Sequence, residues 1–453
     1  MRLQSYISLF SDSKRIILWA RWLWTSNKMS AYGQRILVFC VAVGTLFLFV
    51  AFQSDSKFPF SNTTPMVRFP AQKQTNNPTT QPSETTDEYP IPVNDVNSEF
   101  KNRVESSSRS PWKLTESSVK SSLHRRVNMG ECPPIYGKVT VFVAYAKSSY
   151  ETHYRIAQES LKCYLKSTNY TLHLVDLFND ERVNKYCQHD QLLFKKHCAA
   201  SVYLEDTDWM LVLDADTGVV NPNHCIEEWI DDRVDIVFYE RFFNWEIASG
   251  NYLVKNTEFA RDFLRKWADW QYTQPNNFNG ADNGCLQMHI LQTVLPGAKS
   301  EIKACDKIWH NGTDYDYYMK FVTCVKVNLG AVRLFPGKLR ILRRAHGFAR
   351  DGYLTGDGWS ELDFLLHGWK AQTIGNEGWE SPFETLPNVT ECGVGYRGWF
   401  WRNKKRNSIE QIRLMLAEFE RSTGRAYPKA ARVFPYLTES DIGECYPNCD
   451  DDT

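Results

Sequence analysis

The stretch WMLVLDADTGVVNP, residues 209–222, ends an apolar run in two carboxylates one residue apart. A continuous apolar run is typical of a central strand in a parallel sheet, because both faces of such a strand are buried. In open α/β sheets, ligands bind just outside the carboxyl ends of the strands. Asp214 and Asp216 would repel each other there unless a cation compensated for their charge, and their hard oxygen atoms suit Mn²⁺ or Mg²⁺. The alternative is a surface turn in which the two aspartates cap the next helix.

The sequence around this stretch alternates between strand and helix patterns. Runs rich in β-branched and aromatic residues predict strands at 139–146, 170–177, 209–213, 235–240 and 251–256. Amphipathic or apolar helical patterns occur at 152–165, 191–204, 258–270 and 283–295. This alternation predicts an α/β fold of the Rossmann-like kind, with a mostly parallel central sheet sandwiched by helices. Beyond Cys305 the sequence becomes irregular, aromatic and glycine-rich, and there we expect loops that cover a site.

The first 130 residues predict a membrane anchor and a stem. Residues 36–52 are 17 uncharged, mostly apolar residues, which is the lower limit for a spanning helix. Lys and Arg are in excess within residues 1–35, which predicts a cytoplasmic tail and a type II signal anchor. A cleaved signal peptide is the alternative. Residues 53–130 lack cysteine and are rich in Ser, Thr, Pro and Asn, so we expect a disordered lumenal stem before a folded domain at 131–453.

Charge and cysteine usage narrow the function classes. The 53 Lys and Arg residues balance the 53 Asp and Glu residues, so the whole-chain charge gives no support for a nucleic-acid partner. Eleven of the twelve cysteines lie between Cys132 and Cys449, which favours several disulfides in an oxidising compartment. Eleven cannot all pair within one chain, and Cys163 and Cys285 are the candidates for buried free thiols. Four Asn-x-Thr sequons also suit a lumenal domain, and they begin at Asn62, Asn169, Asn311 and Asn388.

Several segments together resemble one enzyme family. The stretch LVLDADTGVVNP resembles the Asp-x-Asp segment of nucleotide-sugar glycosyltransferases of the GT-A fold. The segments at 247–267 (IASGNYLVKNTEFARDFLRKW), 279–287 (NGADNGCLQ) and 365–370 (LLHGWK) are similar, in order and spacing, to those of retaining galactosyl-, mannosyl- and xylosyltransferases of the secretory pathway. The resemblance extends over residues 138–370. The lumenal part resembles still more closely an uncharacterised domain family expanded in nematodes.

This resemblance implies a metal-dependent hexosyl- or pentosyltransferase of the retaining kind. A nucleotide-sugar, UDP-linked or alternatively GDP-linked, would donate the sugar to a glycan or glycoprotein acceptor. The enzyme would reside in the Golgi or endoplasmic reticulum membrane with its catalytic domain in the lumen. Asp216 would bind Mn²⁺ or Mg²⁺ directly, Asp214 would hold a metal-bound water or the donor ribose, and His367 would be the third protein ligand. The metal would neutralise the leaving diphosphate.

The resemblance also implies residues for donor binding. Tyr145 or Tyr150, near the end of the first strand, would stack on the nucleotide base. Lys195 or Lys196 would reach the phosphates, and the sequence does not decide which of the two points inward. Gly250 would let the donor approach the backbone closely, and an ordinary bulge in a strand is the alternative.

Residues at the reacting sugar are expected at the start of the helix predicted at 283–295 and just before the strand predicted at 251–256. Asp282 and Asn283 are the candidates nearest the anomeric carbon, although related enzymes often have Asp-Gln or Glu-Gln at this position. An inverting enzyme would need a carboxylate base, for which Asp282 or Glu246 would serve. Four tryptophans that each follow a glycine would suit stacking on an acceptor sugar, with core packing as the alternative, and they are Trp359, Trp369, Trp379 and Trp399.

Two other functions compete with the glycosyltransferase interpretation. A member of the same fold that has lost turnover would act as a glycan-binding or structural protein. Haloacid-dehalogenase-type phosphatases also place Asp-x-Asp after an apolar strand. They favour Thr or Val four residues after the first Asp, where this chain has Gly218, and their motif opens the domain rather than following two strand–helix units. The phosphatase is therefore the weaker alternative.

Overall fold

The computed structural model describes residues 132–453 except 243, 371–373, 376–378, 434–439, 448 and 450–453. The predicted cytoplasmic tail, signal anchor and stem lie outside the described residues. Among the described residues, no helix combines the length and apolar character that crossing a membrane requires.

Within the described residues, ten strands form one large and one small sheet. They are β1 (Val139–Tyr145), β2 (Thr171–Asp176), β3 (Trp209–Asp214), β4 (Gly218–Val219), β5 (Ile236–Tyr239), β6 (Tyr252–Lys255), β7 (Leu334–Phe335), β8 (Leu339–Leu342), β9 (Ala349–Asp351) and β10 (Leu365–His367). The large sheet has the order β2-β1-β3-β6-β5-β8-β7, and the small sheet has the order β4-β10-β9. The pairs β1–β2, β1–β3 and β5–β8 are parallel. Strand β6 pairs antiparallel with β3 and β5, and β7 pairs antiparallel with β8. The predicted α/β class and all five predicted strands are confirmed, in a mixed sheet with many parallel pairs.

Nine helices of six residues or more surround the sheets in the described part of the chain. They are α1 (Arg155–Leu165), α2 (Glu181–Tyr186), α3 (Leu192–Tyr203), α4 (Glu258–Asp269), α5 (Ala281–Val294), α6 (Lys299–His310), α7 (Tyr315–Leu329), α8 (Ile409–Ala426) and α9 (Pro428–Val433). A π-helical turn, Tyr150–Tyr154, precedes α1. The four helices predicted from the sequence all form, and each matches its predicted range to within a few residues.

Alternate residues of the central strands face two different cores. Phe142 of β1 and Val212 of β3 pack in one core with the buried faces of α3, α4, α5, α6 and α7. Val141 of β1 and Leu213 of β3 pack in the other core with α1 and the small sheet. A large sheet covered on both faces explains why the strand sequences are apolar throughout rather than alternating.

The expectation of loops beyond Cys305 is wrong for two long segments, which form α7 and α8, and α6 also continues past Cys305 to His310. In α7, Tyr318, Phe321 and Val325 are buried, and this helical spacing is obscured in the sequence by two further aromatic residues, Tyr315 and Tyr317. The start of α8 carries a capping box, in which Ser408 accepts from the Gln411 N–H and the Gln411 side chain accepts from the Ser408 N–H. Irregular structure, as expected, dominates between β8 and α8.

Five disulfides link ten of the eleven cysteines outside residues 36–52. The pairs are Cys132–Cys225, Cys163–Cys392, Cys187–Cys198, Cys305–Cys324 and Cys445–Cys449. The interpretation of Cys163 as a free thiol is wrong, because its face of α1 meets Cys392 from the C-terminal part of the chain. Cys285 is free and buried, as the alternative interpretation predicted.

The tryptophan-rich C-terminal part mainly packs against the rest of the domain. Trp359, Trp369 and Trp399 are buried, so core packing describes these three better than an exposed sugar platform. Trp369 lies against Gly218, where an added Cβ would be 2.2 Å from the indole ring. Trp379 is only partly buried, and its indole N–H donates to Asp357 at 2.7 Å. The small sheet and these tryptophans bring the C-terminal part of the chain over the end of β3.

Candidate active site

The loop after β3 is held by a network of amide groups. Asn251 Oδ1 accepts from the Asp214 backbone N–H at 3.0 Å and from the Thr217 hydroxyl at 2.9 Å. The Gln158 side-chain amide, from α1, donates to the Ala215 carbonyl at 2.7 Å. These contacts fix the backbone of the Asp-x-Asp segment at the carboxyl end of the central strand, where open α/β sheets bind ligands.

The small sheet brings His367 to the same place. Strand β10 ends at His367, and the next two backbone N–H groups donate to the Asp216 carbonyl at 3.2 and 2.9 Å. As a result, His367 Nε2 lies 3.5 Å from Asp214 Oδ2 and 3.4 Å from Asp216 Oδ1. One ligand atom from each of these three residues lies within 4.8 Å of the others. The structure therefore gathers the three side chains that the sequence predicts as the metal site.

The chemistry of this cluster fits a divalent ion. Two carboxylates and one imidazole are suitable ligands for Mn²⁺, and adjacent ligands of a six-coordinate ion with bonds near 2.1 Å lie about 3 Å apart. Asp216 Oδ2 is buried without a hydrogen-bond partner, although Lys370 Nζ lies 3.4 Å away. A buried carboxylate oxygen in this state is available to a cation.

The charges around the cluster perturb its titration. Burial alone would raise the pKa of Asp214, but the Lys196 ammonium and His367 outweigh burial and hold this pKa well below its usual value. Burial opposes protonation of His367, yet Asp216, Asp214 and Asp351 together raise its pKa well above 6.5. These carboxylates therefore favour the protonated ring, and a metal ion bound at Nε2 would displace its proton.

Gly250 provides space for Asp214. A Cβ atom at Gly250 would lie 2.2 Å from Asp214 Oδ2, which is far inside van der Waals contact. The close approach expected at Gly250 is therefore made by the metal-site carboxylate itself. Whether a donor also approaches this backbone stays a prediction.

Two of the residues predicted at the reacting sugar, Asp282 and Asn283, lie at the start of α5, beside the loop between β5 and β6. Asp282, in the first turn of α5, is buried between Lys196 at 3.6 Å and His197 Nε2 at 3.2 Å. Asn283 Oδ1 accepts from the Ser249 backbone N–H at 3.1 Å and so anchors the chain just before Gly250. Their catalytic roles stay predictions, because both side chains already have protein partners in this structure.

Glu246 lies in a second buried group. Its Oε1 lies 3.3 Å from Arg241 and its Oε2 accepts from the Tyr318 hydroxyl at 2.6 Å. Burial raises the pKa of Glu246 despite the opposing effect of Arg241. A carboxylate with both oxygen atoms engaged would have to exchange these partners before acting as a base.

The structure separates the two lysines that the sequence left undecided. Lys196 Nζ lies 2.8 Å from Asp214 Oδ1, so Lys196 is the lysine that reaches the cluster of Asp214, Asp216 and His367. Lys195 points instead toward Asn184 Oδ1 at 3.2 Å and toward the Phe178 ring. The difference follows from their adjacent positions on α3, which direct the two side chains about 100° apart around the helix.

The predicted base-stacking tyrosines lie together at the end of β1. The rings of Tyr145 and Tyr150 are 5.2 Å apart between centroids, and Lys162 Nζ lies 5.3 Å from the centre of the Tyr150 ring. Both tyrosines are partly buried. Their stacking on a base stays a prediction.

Sequence reasoning missed four residues of the site. Asn251 directly follows Gly250 and opens the strand predicted at 251–256, so its position was a usable signal. Lys370 closes the LLHGWK segment, three residues after the predicted ligand His367. Asp351 and Arg241 gave no signal in the sequence. Asp351 meets His367 only through the pairing of two short strands, and Arg241 reaches Asp351 from a segment 110 residues earlier in the chain.

The fold and the cluster define an α/β protein that gathers two carboxylates and an imidazole at the end of its central strand. The sequence model of a family described as "Protein of unknown function, DUF273" matches residues 161–379. The chain is also similar to the "Probable alpha-1,6-mannosyltransferase MNN10" of Saccharomyces cerevisiae, with 21% identity over 217 residues. This alignment covers 37% of the chain and 55% of the yeast protein, so the chain spans about half the length of that relative.

Solved structures with detectable similarity include a glycosyltransferase involved in glycosylation of the major capsid of PBCV-1. That comparison has 15% identity, covers 51% of this chain and 93% of the other, and gives a TM-score of 0.27. The apo-form glycosyltransferase GlyE of Streptococcus pneumoniae TIGR4 has 16% identity over 33% of this chain and 42% of its own, with a TM-score of 0.24. These scores are too low to support a functional conclusion. The yeast relative and the family match confirm the two resemblances predicted from the sequence, to glycosyltransferases and to an uncharacterised domain family.

Proposed function

We propose that this protein is a metal-dependent glycosyltransferase that moves a sugar from a nucleotide-sugar to a glycan or glycoprotein acceptor in the secretory pathway. The observation that carries the proposal is the convergence of Asp214, Asp216 and His367 at the end of β3. The similarity to a probable mannosyltransferase supports the reaction class. A UDP-sugar is the proposed donor class, and the name of the yeast relative adds mannose to the sugars that should be tested.

The proposed chemistry depends on charge held at fixed positions. Asp214, Asp216 and His367 would hold Mn²⁺ or Mg²⁺, which when bound neutralises charge on a leaving diphosphate. Lys370 Nζ lies beside Asp216 on a side chain that is 65% exposed, so it can turn toward a diphosphate in the crevice. Lys196 is buried and holds Asp214 in place. Preorganised charges of this kind stabilise a transition state because they need little reorganisation during the reaction.

The disulfides support the proposed compartment. Five pairs in one domain are typical of an oxidising environment, and the lumen of the secretory pathway is one. Anchoring through residues 36–52 and a type II orientation belong to the same proposal. The retaining outcome is proposed from the sequence resemblance, and the anomeric configuration of the product would decide it.

The test is nucleotide release by the purified full chain with a panel of UDP- and GDP-sugars. We expect slow release of UDP or GDP that requires Mn²⁺, and we expect at least one donor to raise the melting temperature only when Mn²⁺ is present. Asp216→Ala should abolish both effects while leaving the protein folded. Asp316→Ala, which changes an exposed aspartate of a second Asp-x-Asp sequence, should leave both unchanged.

Three results would contradict the proposal. Turnover of phosphomonoesters without release of nucleotide would favour the phosphatase alternative. Glycan binding without any turnover would favour the inactive member of the fold. Full Mn²⁺-dependent activity in Asp216→Ala would show that the metal site lies elsewhere.

A further inference from the structure

A buried carboxylate and a guanidinium lie behind His367. His367 Nδ1 is 2.8 Å from Asp351 Oδ1. The Arg241 guanidinium contacts both oxygen atoms of the same carboxylate, at 2.7 Å to Oδ1 and 3.1 Å to Oδ2. The side chains of Asp351 and Arg241 are 5% and 16% exposed. These two residues form a support for the imidazole on the side opposite the Asp-x-Asp segment.

Strand pairing places this support. Strands β9 and β10 run parallel, and in their register Asp351 is the direct partner of His367. Arg241 follows β5 by two residues, so it reaches Asp351 from the large sheet. The Arg241 backbone N–H also donates to the Glu246 carbonyl at 2.9 Å, which fixes the loop that carries it. Two sheets therefore determine where the Asp351 carboxylate lies.

The geometry fixes the orientation of the ring. In the neutral ring, with Nδ1–H donating to Asp351, Nε2 carries the lone pair and faces Asp214 and Asp216 at 3.5 and 3.4 Å. Without the acceptor on Nδ1, rotation about the side-chain bonds would allow other ring positions and the other tautomer. Carboxylates that accept from a ligating histidine commonly orient the ring and raise its basicity as a ligand. The two-point contact with Arg241 limits rotation of the carboxylate in turn.

We propose that Asp351, held by Arg241, is a positioning residue that sets the imidazole of His367 for a divalent ion shared with Asp214 and Asp216. This inference rests on the proposed function, since it assigns Asp351 a task at that same metal site. It concerns how the third ligand is held rather than which residues touch the donor.

The first experiment compares two isosteric variants of buried aspartates. Asp351→Asn in the full chain should weaken Mn²⁺ binding by about 10- to 100-fold, as other supporting carboxylates do. Asp363→Asn is the matched control, because Asp363 is similarly buried and lies 2.6 Å from Arg350 Nε in the same region. The control should keep the wild-type Mn²⁺ affinity. Equal affinity losses in both variants would overturn the proposal in favour of a general structural effect.

A spectroscopic signature separates positioning from stability. Pulsed electron paramagnetic resonance of bound Mn²⁺ should show coupling to an imidazole nitrogen in the wild type and in Asp363→Asn. The coupling should be lost or reduced in Asp351→Asn when enough Mn²⁺ is added to fill the remaining carboxylate ligands. Unchanged coupling in Asp351→Asn would overturn the proposal.

A double variant provides a further check. In the His367→Ala background, Asp351→Asn should cause no additional loss of Mn²⁺ affinity, because the ring that it positions is gone. Independent, additive losses would contradict the proposal. If Asp351→Asn does not fold, Arg241→Lys tests the same support, since lysine retains the charge without the two-point contact and should weaken Mn²⁺ binding in the same direction. Wild-type affinity in Arg241→Lys would then count against the proposal.

Failure of the inference and failure of the proposed function give different results. If the wild type binds Mn²⁺ through Asp216 but Asp351→Asn binds it equally well, the glycosyltransferase proposal stands and the positioning role is wrong. If the wild type shows no Mn²⁺ binding that depends on Asp216, the proposed function fails first.

Discussion

Gly250→Ala is a small substitution with a large expected effect on the metal site. The new Cβ would lie 2.2 Å from Asp214 Oδ2 and 2.9 Å from Asp214 Cγ. The backbone of Gly250 is not in the left-handed region, so alanine is compatible with its conformation and the effect is steric. The clash is confined to Asp214, which the structure places beside Asp216 and His367 and which we propose as part of the metal site.

The size of the effect follows from the distance that the carboxylate must move. Ordinary contact begins at 3.4 Å, so Oδ2 must shift by about 1.2 Å, which is 3.4 minus 2.2, whereas metal sites tolerate deviations of about 0.2 Å. Lys196 at 2.8 Å from Oδ1 restrains the other oxygen atom. A misplacement of about 1 Å costs on the order of 100-fold in rate. Folding should survive, because the Asp214 side chain is 27% exposed and can turn toward solvent.

The assay measures Mn²⁺ affinity by calorimetry and Mn²⁺-dependent nucleotide release for Gly250→Ala and for Gly297→Ala. Gly297 has no neighbouring atom within 4 Å of its added Cβ and has no left-handed φ, so its variant should behave as the wild type in both measurements. An active Gly250→Ala protein with wild-type Mn²⁺ affinity would refute the reasoning, because Asp214 would then not need the space above Gly250.

Two further predictions concern stability. Removing the Cys163–Cys392 disulfide, with a sequence separation of 229, should lower the free energy of unfolding by about 2–3 kcal/mol more than removing Cys187–Cys198, with a separation of 11. The reason is that a disulfide closing a longer loop restricts the unfolded chain more. Urea unfolding of the two double-alanine variants measures the difference, and equal losses would contradict it. Burial lowers the pKa of His289 from 6.5 to about 4, so the unfolded chain binds a proton that the folded chain excludes. The stability contributed by the neutral ring is complete above pH 6.5 and is lost as the pH falls toward 4, by about 2 kcal/mol between pH 7 and 5. His289→Gln should show correspondingly less pH dependence in urea unfolding over that range, and an unchanged slope would contradict the assignment.

The local sequence patterns predict the central strands well, because a strand buried on both faces must be apolar along its whole length. The same patterns fail for α7, where aromatic residues occupy exposed positions such as Tyr317 as well as buried ones. Asp214 and Asp216 could be predicted as a pair because they are adjacent to such a strand. Pairing partners such as Cys163 and Cys392 could not be predicted, since their contact depends on how distant segments pack.

The same limit explains why the environment of His367 was not predictable. Its partner Asp351 lies 16 residues before it in the sequence, and Arg241, whose guanidinium holds Asp351, lies 110 residues before Asp351. A short strand such as β9 has no periodicity long enough to be recognised. Local sequence motifs therefore predict the proposed metal ligands Asp214, Asp216 and His367. The residues that hold His367 in place become visible only in the tertiary structure.

The balance of charges around the site determines what a metal ion must displace. Five carboxylates lie in or beside the cluster in the described part of the chain, and they pair with basic groups; these are Asp214, Asp216, Glu246, Asp282 and Asp351 with Lys196, Lys370, Arg241 and His367. Burial makes an unpaired charge costly, so most of these pairs cannot open. The Lys196 side chain is only 2% exposed and bridges two carboxylates, and Arg241 is held by two more.

Lys370 and the proton on His367 are the positive charges that this arrangement can release. The Lys370 side chain is 65% exposed, so solvent can replace Asp216 as its partner at little cost. The His367 proton exchanges with water, and its loss leaves Nε2 free to act as a ligand. A divalent ion would restore the positive charge lost from these two groups, so the carboxylates would remain compensated throughout. This exchange would allow a site that already contains protein cations to bind the proposed metal ion.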